Sequence, residues 1–296
     1  MARAQSPWGA VCLIAYCIAS RRKTPDVLHT YVAGGDVLLM PNPQHKFPVL
    51  VIAHRGASGE CPENTLAAFQ RAMDLGADML ECDVQCSRDG TVVVMHDARV
   101  DRTTDGHGWV RCLTWRELKQ LDAGVWFSAA FRGERLLTLE DLLALTAGKV
   151  LLNIEIKRAI LQARHIRRIA EKVATLVARE KLQETVLVSS FDPCALAHVK
   201  AYQPDIPTAL ITMRRPRGGV PAVMQRLGVQ ALHMSRYSVS PTLLTEARLV
   251  HCPVHAFTVD EVPKMRRLIA RGVDGLFTNY PGRLRRLLAE MFPSAA

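Results

Sequence analysis

The sequence has no CxxC pair and no cysteine at metal-knuckle spacing, which excludes a cysteine-based zinc site. Eight cysteines in 296 residues are too few for a disulfide scaffold, so buried free thiols in a reducing compartment are expected. Cys82 and Cys86 sit at even separation in a strand-like run and should share a face. No apolar run reaches the roughly 20 residues of a membrane helix; Trp8–Ala19 stops after 12. No internal repeat or low-complexity tract stands out. Acidic residues are in deficit, 28 against 38 Lys and Arg, for a net charge of +10 and a pI near 9.4. Such a balance favours phosphate-bearing molecules, nucleic acid or anionic membrane surfaces. The basic residues nevertheless form no long block. They lie in short clusters (Arg21-Arg22-Lys23, Arg214-Arg215, Arg266-Arg267, Arg283 to Arg286) that read as solvated helix and loop faces. With no recognition motif and no basic stripe interleaved with aromatics, nucleic acid is not the expected partner.

Hydrophobic residues make up 49% and charged residues 22%, enough for a sizeable core. Residues 1–46 read as an N-terminal extension and 47–296 as the folded domain. Arg3 ahead of Trp8–Ala19 resembles the start of an export signal, but Arg21-Arg22-Lys23 follows and no A-x-A site is visible. Cys17 follows Tyr16, where a lipoprotein signal has a small residue. A cytoplasmic location is therefore expected. Met40 lies just ahead of the first strand-like run, and a chain starting there would lose nothing the fold needs. Mass spectrometry of the native N-terminus tests that start, and any peptide from residues 1–39 rejects it.

From Phe47 onward, short aliphatic runs alternate with amphipathic ones. Strands are expected at Val49–Ala53, Met79–Val84, Thr91–Met95, Val150–Ile156, Thr185–Ser189, Thr208–Thr212, Val229–His233, Pro253–Val259 and Asp274–Thr278. Several are apolar throughout, as strands buried on both faces are. Helices are expected at Glu63–Leu75, Arg158–Lys181, Asp192–Tyr202, Pro241–Leu249, Asp260–Ala270 and Pro281–Met291. The first has Asn64-Thr65 as cap and Gly76 as stop. Strand followed by helix, repeated along the domain, argues for an α/β (β/α)₈ TIM barrel. Nine strands are one too many for it. The link from Val84 to Thr91 is too short for a parallel crossover, so that pair should be an antiparallel hairpin or a distorted corner. Ala98–Leu145 reads as an insertion after the third strand, with a short helix at Thr114–Leu121 and the aromatics Trp109, Trp115, Trp126 and Phe127.

Polar residues gather at strand ends. The first strand closes on His54-Arg55-Gly56, the second carries Glu81 and Asp83, the third ends in His96-Asp97, and the fourth holds Asn153, Glu155 and Lys157. A period of two puts Glu81 and Asp83 on one face, and likewise Asn153, Glu155 and Lys157. Three inward carboxylates cannot stay ionised and unpaired in a low-dielectric site. Either a hard divalent cation, Mg²⁺ or Ca²⁺, relieves them, or an ion-pair network with Arg55 and Lys157 does. His54 and His96 can serve as general acid and base in either order. An arginine and a lysine suit the oxygens of a phosphate ester.

The stretches VIAHRGASGECPENTLAAF and MLECDVQCSRDGTVVVMHDARVDRTT resemble the glycerophosphodiester phosphodiesterase family. So do LTWRELKQLDAG, GERLLTLEDLLAL, LLNIEIK, VLVSSFD and GVDGLFTNYPGRL, in the family's order. The resemblance implies a TIM barrel that cleaves glycerophosphodiesters to glycerol 3-phosphate and an alcohol with a divalent cation. By it His54 and His96 match the acid–base pair, Glu81, Asp83 and Glu155 the metal ligands, and Arg55 and Lys157 the phosphate-binding cations. The Ala98–Leu145 segment matches the insertion that shapes the substrate pocket. Two positions depart. Phe257-Thr258-Val259-Asp260 stands where W-T-V-N is common, and Asn279 where an aspartate is frequent. Neither is expected to carry the acid–base or metal chemistry, so both bear on substrate preference.

The expected partner is a small-molecule glycerophosphodiester, with weak membrane-surface association through the basic charge and the short apolar N-terminal run. A lysophospholipase D acting on acylated substrates is the related alternative, distinguished by comparing soluble and acylated substrates. A non-catalytic phosphodiester-binding barrel is a different class, and the filled set of metal and histidine positions argues against it.

Overall fold

A computed structural model describes residues 47–157 and 163–293. The Trp8–Ala19 run, Met40 and the start of the expected Arg158 helix lie outside them. Strands form where aliphatic residues run together: β1 Leu50–His54, β2 Met79–Cys86, β3 Val92–Val94, β4 Leu151–Ile156, β5 Val186–Ser190, β6 Thr208–Thr212, β7 Ala231–Ser235, β8 Val254–Phe257 and β9 Gly275–Thr278. The helices are α1 Leu66–Asp74, α2 Trp115–Leu118, α3 Leu139–Thr146, α4 Ala163–Arg179, α5 Pro193–Tyr202, α6 Gly219–Leu227, α7 Pro241–Leu249, α8 Val262–Arg271 and α9 Pro281–Met291.

Eight strands are parallel, and β1 pairs with both β2 and β9, which closes the sheet into a (β/α)₈ TIM barrel. The surplus strand is β3, antiparallel to β2 with Val84 opposite Val94, so of the two expected alternatives the pair is the hairpin. Its turn is held by Ser87 and Thr91, and Gly90 takes a φ of 89°. Helix α1 is capped by Thr65, whose Oγ1 accepts from Ala68 N at 3.3 Å, and ends at Asp74, with Leu75 as C-cap and Gly76 following at a φ of 75°.

Two helices differ from expectation. The insertion ends sooner than Leu145, because Thr138 opens α3 with a capping box to Asp141 and α3 is a barrel helix. The rest of the insertion packs a small core of its own from Val100, Val110, Leu118, Ala123 and Leu136 beneath Val93 and Met95. Helix α6 was not legible because its first turn holds Gly219 and Pro221 behind Gly218, residues that normally break helices.

Outward-facing strand residues pack against the helices in two large clusters. Inward-facing ones form levels two residues apart. Met79, Leu151, Leu187 and Ala231 lie in apolar clusters inside the barrel. Two residues on, the same four strands present Glu81, Asn153, Ser189 and His233, all buried. Asp83 and Glu155 follow at the C-terminal mouth. The interior thus passes from apolar floor to polar middle along these strands, and to a charged mouth along β2 and β4. All six described cysteines are free; Cys61, Cys82 and Cys252 are buried, but Cys112 and Cys194 are exposed.

Candidate active site

The β1–β2 and β2–β4 registers set the site. His54 lies beside Glu81, Glu81 beside Asn153, and Asp83 beside Glu155. Glu81, Asp83 and Glu155 are buried, and one oxygen of each lies within 4.8 Å of the others. Arg55 Nε stands 3.2 Å from Asp83 Oδ2, and Lys157 Nζ stands 3.2 Å from Asp83 Oδ1 and 2.7 Å from Glu155 Oε1. The ion-pair network, one of the two alternatives for relieving the carboxylates, is therefore present, but two cations face three carboxylates. Among the described residues Glu81 receives only the Arg55 backbone N–H, at 2.8 Å on Oε2, and its Oε1 is buried without a hydrogen bond.

Charge follows the geometry. Burial would raise Asp83, but Lys157 and Arg55 hold it below the ordinary carboxylate range. Burial, Asp83 and Glu155 drive Glu81 well above it. Burial and then Asp83 lift Glu155 to about 7 despite Lys157. An orphaned buried oxygen in an over-crowded carboxylate cluster is what an oxygen-ligated divalent cation fits.

The backbone pays locally for this placement. Arg55 adopts a φ of 58°, rare for a side chain of its size, and Gly56 follows at 78°. A Cβ on Gly56 would lie 2.6 Å from the Ala68 carbonyl carbon, so α1 can press against this turn only because glycine is there. Asn64, also at positive φ (60°), donates from Nδ2 to Asp83 Oδ2 at 3.0 Å.

The two histidines are anchored differently. His96 Nδ1 lies 2.6 Å from Asp97 Oδ1, which must accept, so Nδ1 carries the hydrogen and Nε2 is left to work. Asp97 is braced in turn by Arg102 Nε at 2.6 Å, and Arg102 also clasps both Glu63 oxygens at 2.9 and 2.7 Å. His54 Nδ1 lies 2.7 Å from Asn279 Oδ1. That amide's orientation is fixed by Asp260, which accepts from Asn279 Nδ2 at 2.8 Å and from its backbone N at 2.9 Å. The oxygen therefore faces His54, which donates from Nδ1. Burial, then the Arg55 charge, push His54 down to about 4, and burial lowers His96 as well.

All seven candidates (His54, Arg55, Glu81, Asp83, His96, Glu155 and Lys157) thus converge on one mouth. The reading of positions 260 and 279 needs correction: they bear directly on His54, and not only on substrate preference. Glu63, Asn64, Asp97 and Arg102 were also missed as members of the site. Asp97 had a signal in its adjacency to His96, and Glu63, Asn64 and Arg102 lie in the stretches that carry the family resemblance. What these three touch in the site is set by turns whose course no local pattern reveals.

The glycerophosphoryl diester phosphodiesterase family matches residues 54–283. A glycerophosphodiester phosphodiesterase of Caldanaerobacter subterraneus is 40% identical over 242 residues, 81% of this chain and 97% of that one. Another, of Bacillus subtilis, is 32% identical over 250 residues, 79% and 84% of the two chains. Among solved structures, a phosphodiesterase of Oleispira antarctica in complex with the product sn-glycerol 3-phosphate superposes with a TM-score of 0.76. It is 30% identical, covering 81% of this chain and 96% of its own. The chain belongs to the glycerophosphoryl diester phosphodiesterase family and is an enzyme of that class.

Proposed function

We propose that this enzyme hydrolyses glycerophosphodiesters to sn-glycerol 3-phosphate and an alcohol, with His54 and His96 as the acid–base pair and a divalent cation, Mg²⁺ or Ca²⁺, held by Glu81, Asp83 and Glu155. The observation that carries the reading is the buried, donor-less Glu81 Oε1 within a cluster of three carboxylates and only two cations. When bound, the cation would supply Lewis-acid stabilisation of charge on the phosphate oxygens.

Arg55 and Lys157 bind the phosphate, which brings a negative charge to a face where both cations already converge. His54, kept neutral by burial and the Arg55 charge and oriented by the Asn279 amide, takes the proton from the nucleophile through its Nε2. That nucleophile is water, or the substrate's adjacent hydroxyl through a cyclic phosphate. His96, backed by the Asp97 carboxylate, is the better imidazolium and gives its own Nε2 proton to the leaving alkoxide, while His54 keeps the proton of the nucleophile. The sn-glycerol 3-phosphate in the Oleispira antarctica enzyme supports the product assignment.

The test is release of glycerol 3-phosphate from glycerophosphocholine with Mg²⁺, with Ca²⁺ and with EDTA, alongside Glu81→Ala. Metal-dependent turnover lost in EDTA and in the variant is expected. Full turnover in EDTA would reject the metal, and absence of turnover from folded protein would reject the substrate class.

A further inference from the structure

Large apolar side chains exposed among the described residues are Leu66, Trp126, Met213, Tyr237, Leu249 and Val262. Isolated ones need no explanation, but these are concentrated. Met213, Tyr237 and Val262 follow the C-terminal ends of β6, β7 and β8, and Leu66 opens α1 after β1. Trp126 lies in the insertion, with the Arg102 guanidinium 5.9 Å from its ring. These five therefore lie on the end of the barrel that carries the site. Leu249, at the far end of α7, is the exception.

The three loops after β6, β7 and β8 are tied into one rim. Ser238 Oγ donates to the Met213 carbonyl at 2.6 Å, and Arg236 donates to the Thr258 carbonyl. Arg236 also donates to the Tyr237 hydroxyl at 2.7 Å and sits 4.8 Å from its ring centre, so a ring that is 78% exposed is nonetheless held in place. Side chains already ordered before contact lose little entropy on docking. Charge is arranged to match. The segment Met213-Arg214-Arg215-Pro216-Arg217 is a loop. Arg215 pairs with Glu246, whereas Arg214 and Arg217 form no ion pair among the described residues.

We propose that this rim docks the enzyme on an anionic lipid surface. Met213, Tyr237 and Val262 enter the headgroup region, Arg214 and Arg217 meet lipid phosphates, and the site mouth faces the membrane. Apolar and aromatic side chains among cations are the combination that such interfaces select. A nucleic acid would use the arginines but leave Met213 and Val262 in water. A second copy meeting this face symmetrically would bring the unpaired arginines together. No described helix is long and apolar enough to cross a membrane, so the contact is one of surface docking. The catalytic consequence rests on the function proposed above: single-chain phospholipids, whose phosphodiester lies at headgroup depth, are presented to the same mouth.

The test uses the full chain with sedimenting vesicles of phosphatidylcholine alone and of phosphatidylcholine with one-third phosphatidylglycerol. Binding is expected to the anionic vesicles and to weaken with added salt. Arg214→Gln/Arg217→Gln should weaken it about thirtyfold, at about 1 kcal/mol for each arginine. Met213→Ser/Tyr237→Ser should weaken it independently, both variants keeping the wild-type thermal midpoint and turnover of soluble glycerophosphocholine. Equal binding of wild type and rim variants, equal binding to neutral vesicles, or no binding would overturn the proposal. So would rim-dependent capture of a single-stranded oligonucleotide or rim-dependent dimerisation in the absence of vesicle binding. Glycerol 3-phosphate release is read separately, so failure of docking and failure of the catalytic reading are distinct results.

Discussion

Exchanging Asp260 and Asn279 tests what sets the protonation of His54. In the native arrangement a neutral amide oxygen accepts from His54 Nδ1 at 2.7 Å, and Asp260 fixes that amide at 2.8 Å. Asn279→Asp alone puts two carboxylates in contact. At an effective dielectric of about 20 their repulsion is about 6 kcal/mol, relieved only if one takes up a proton or the loop opens. The single variant should lose both activity and thermal stability. Asp260→Asn/Asn279→Asp restores one donor facing one acceptor and puts the carboxylate on His54. A carboxylate in that place favours the imidazolium by about 2 pH units, or about 2.7 kcal/mol. Burial and the Arg55 charge push the native His54 down to about 4. Its ¹⁵N titration should therefore move toward neutrality in the double variant, and the acidic limb of kcat/KM should move with it, because a protonated His54 cannot act as base. A His54 titration unchanged in the folded double variant would refute the reasoning.

Alanine at His54 or at His96 should lower kcat by about two to four orders of magnitude. Turnover within threefold of wild type for both would remove them from the acid–base role. The buried His255 is held down to about 4 by desolvation, and both of its ring nitrogens lack partners. Its folded value lies below its unfolded one, so its contribution is full above about pH 6.5 and is lost as pH falls toward 4. Urea unfolding in EDTA should show about 2 kcal/mol of pH dependence between pH 7 and 5 that His255→Leu removes; a variant with the wild-type dependence would contradict this. Gly56→Ala should cost about 1–3 kcal/mol from its backbone conformation alone, with further loss from the contact at Ala68. It should show as a lower thermal midpoint, and a variant as stable as wild type would mean that the turn can rearrange.

The strand order of a parallel barrel was legible because strands buried on both faces read as unbroken aliphatic runs, and helices between them carry caps such as Thr65 and stops such as Gly76. The short link at Arg88-Asp89-Gly90 ruled out a parallel crossover and left a hairpin or a distorted corner, of which the structure has the hairpin. Within each strand the period of two placed Glu81 with Asp83 and Glu155 with Lys157, so most of the charged cluster could be listed before any fold was known. What sequence could not supply was register between strands and the course of loops. The contact of Asn279 with His54 joins residues 225 apart, and Arg102 reaches Glu63 across 39. Such pairs have no local signature, because they are selected by closure of the barrel and not by neighbouring residues. The same closure turned Met213, Tyr237 and Val262, three separate and unremarkable positions along the chain, into one rim around the site.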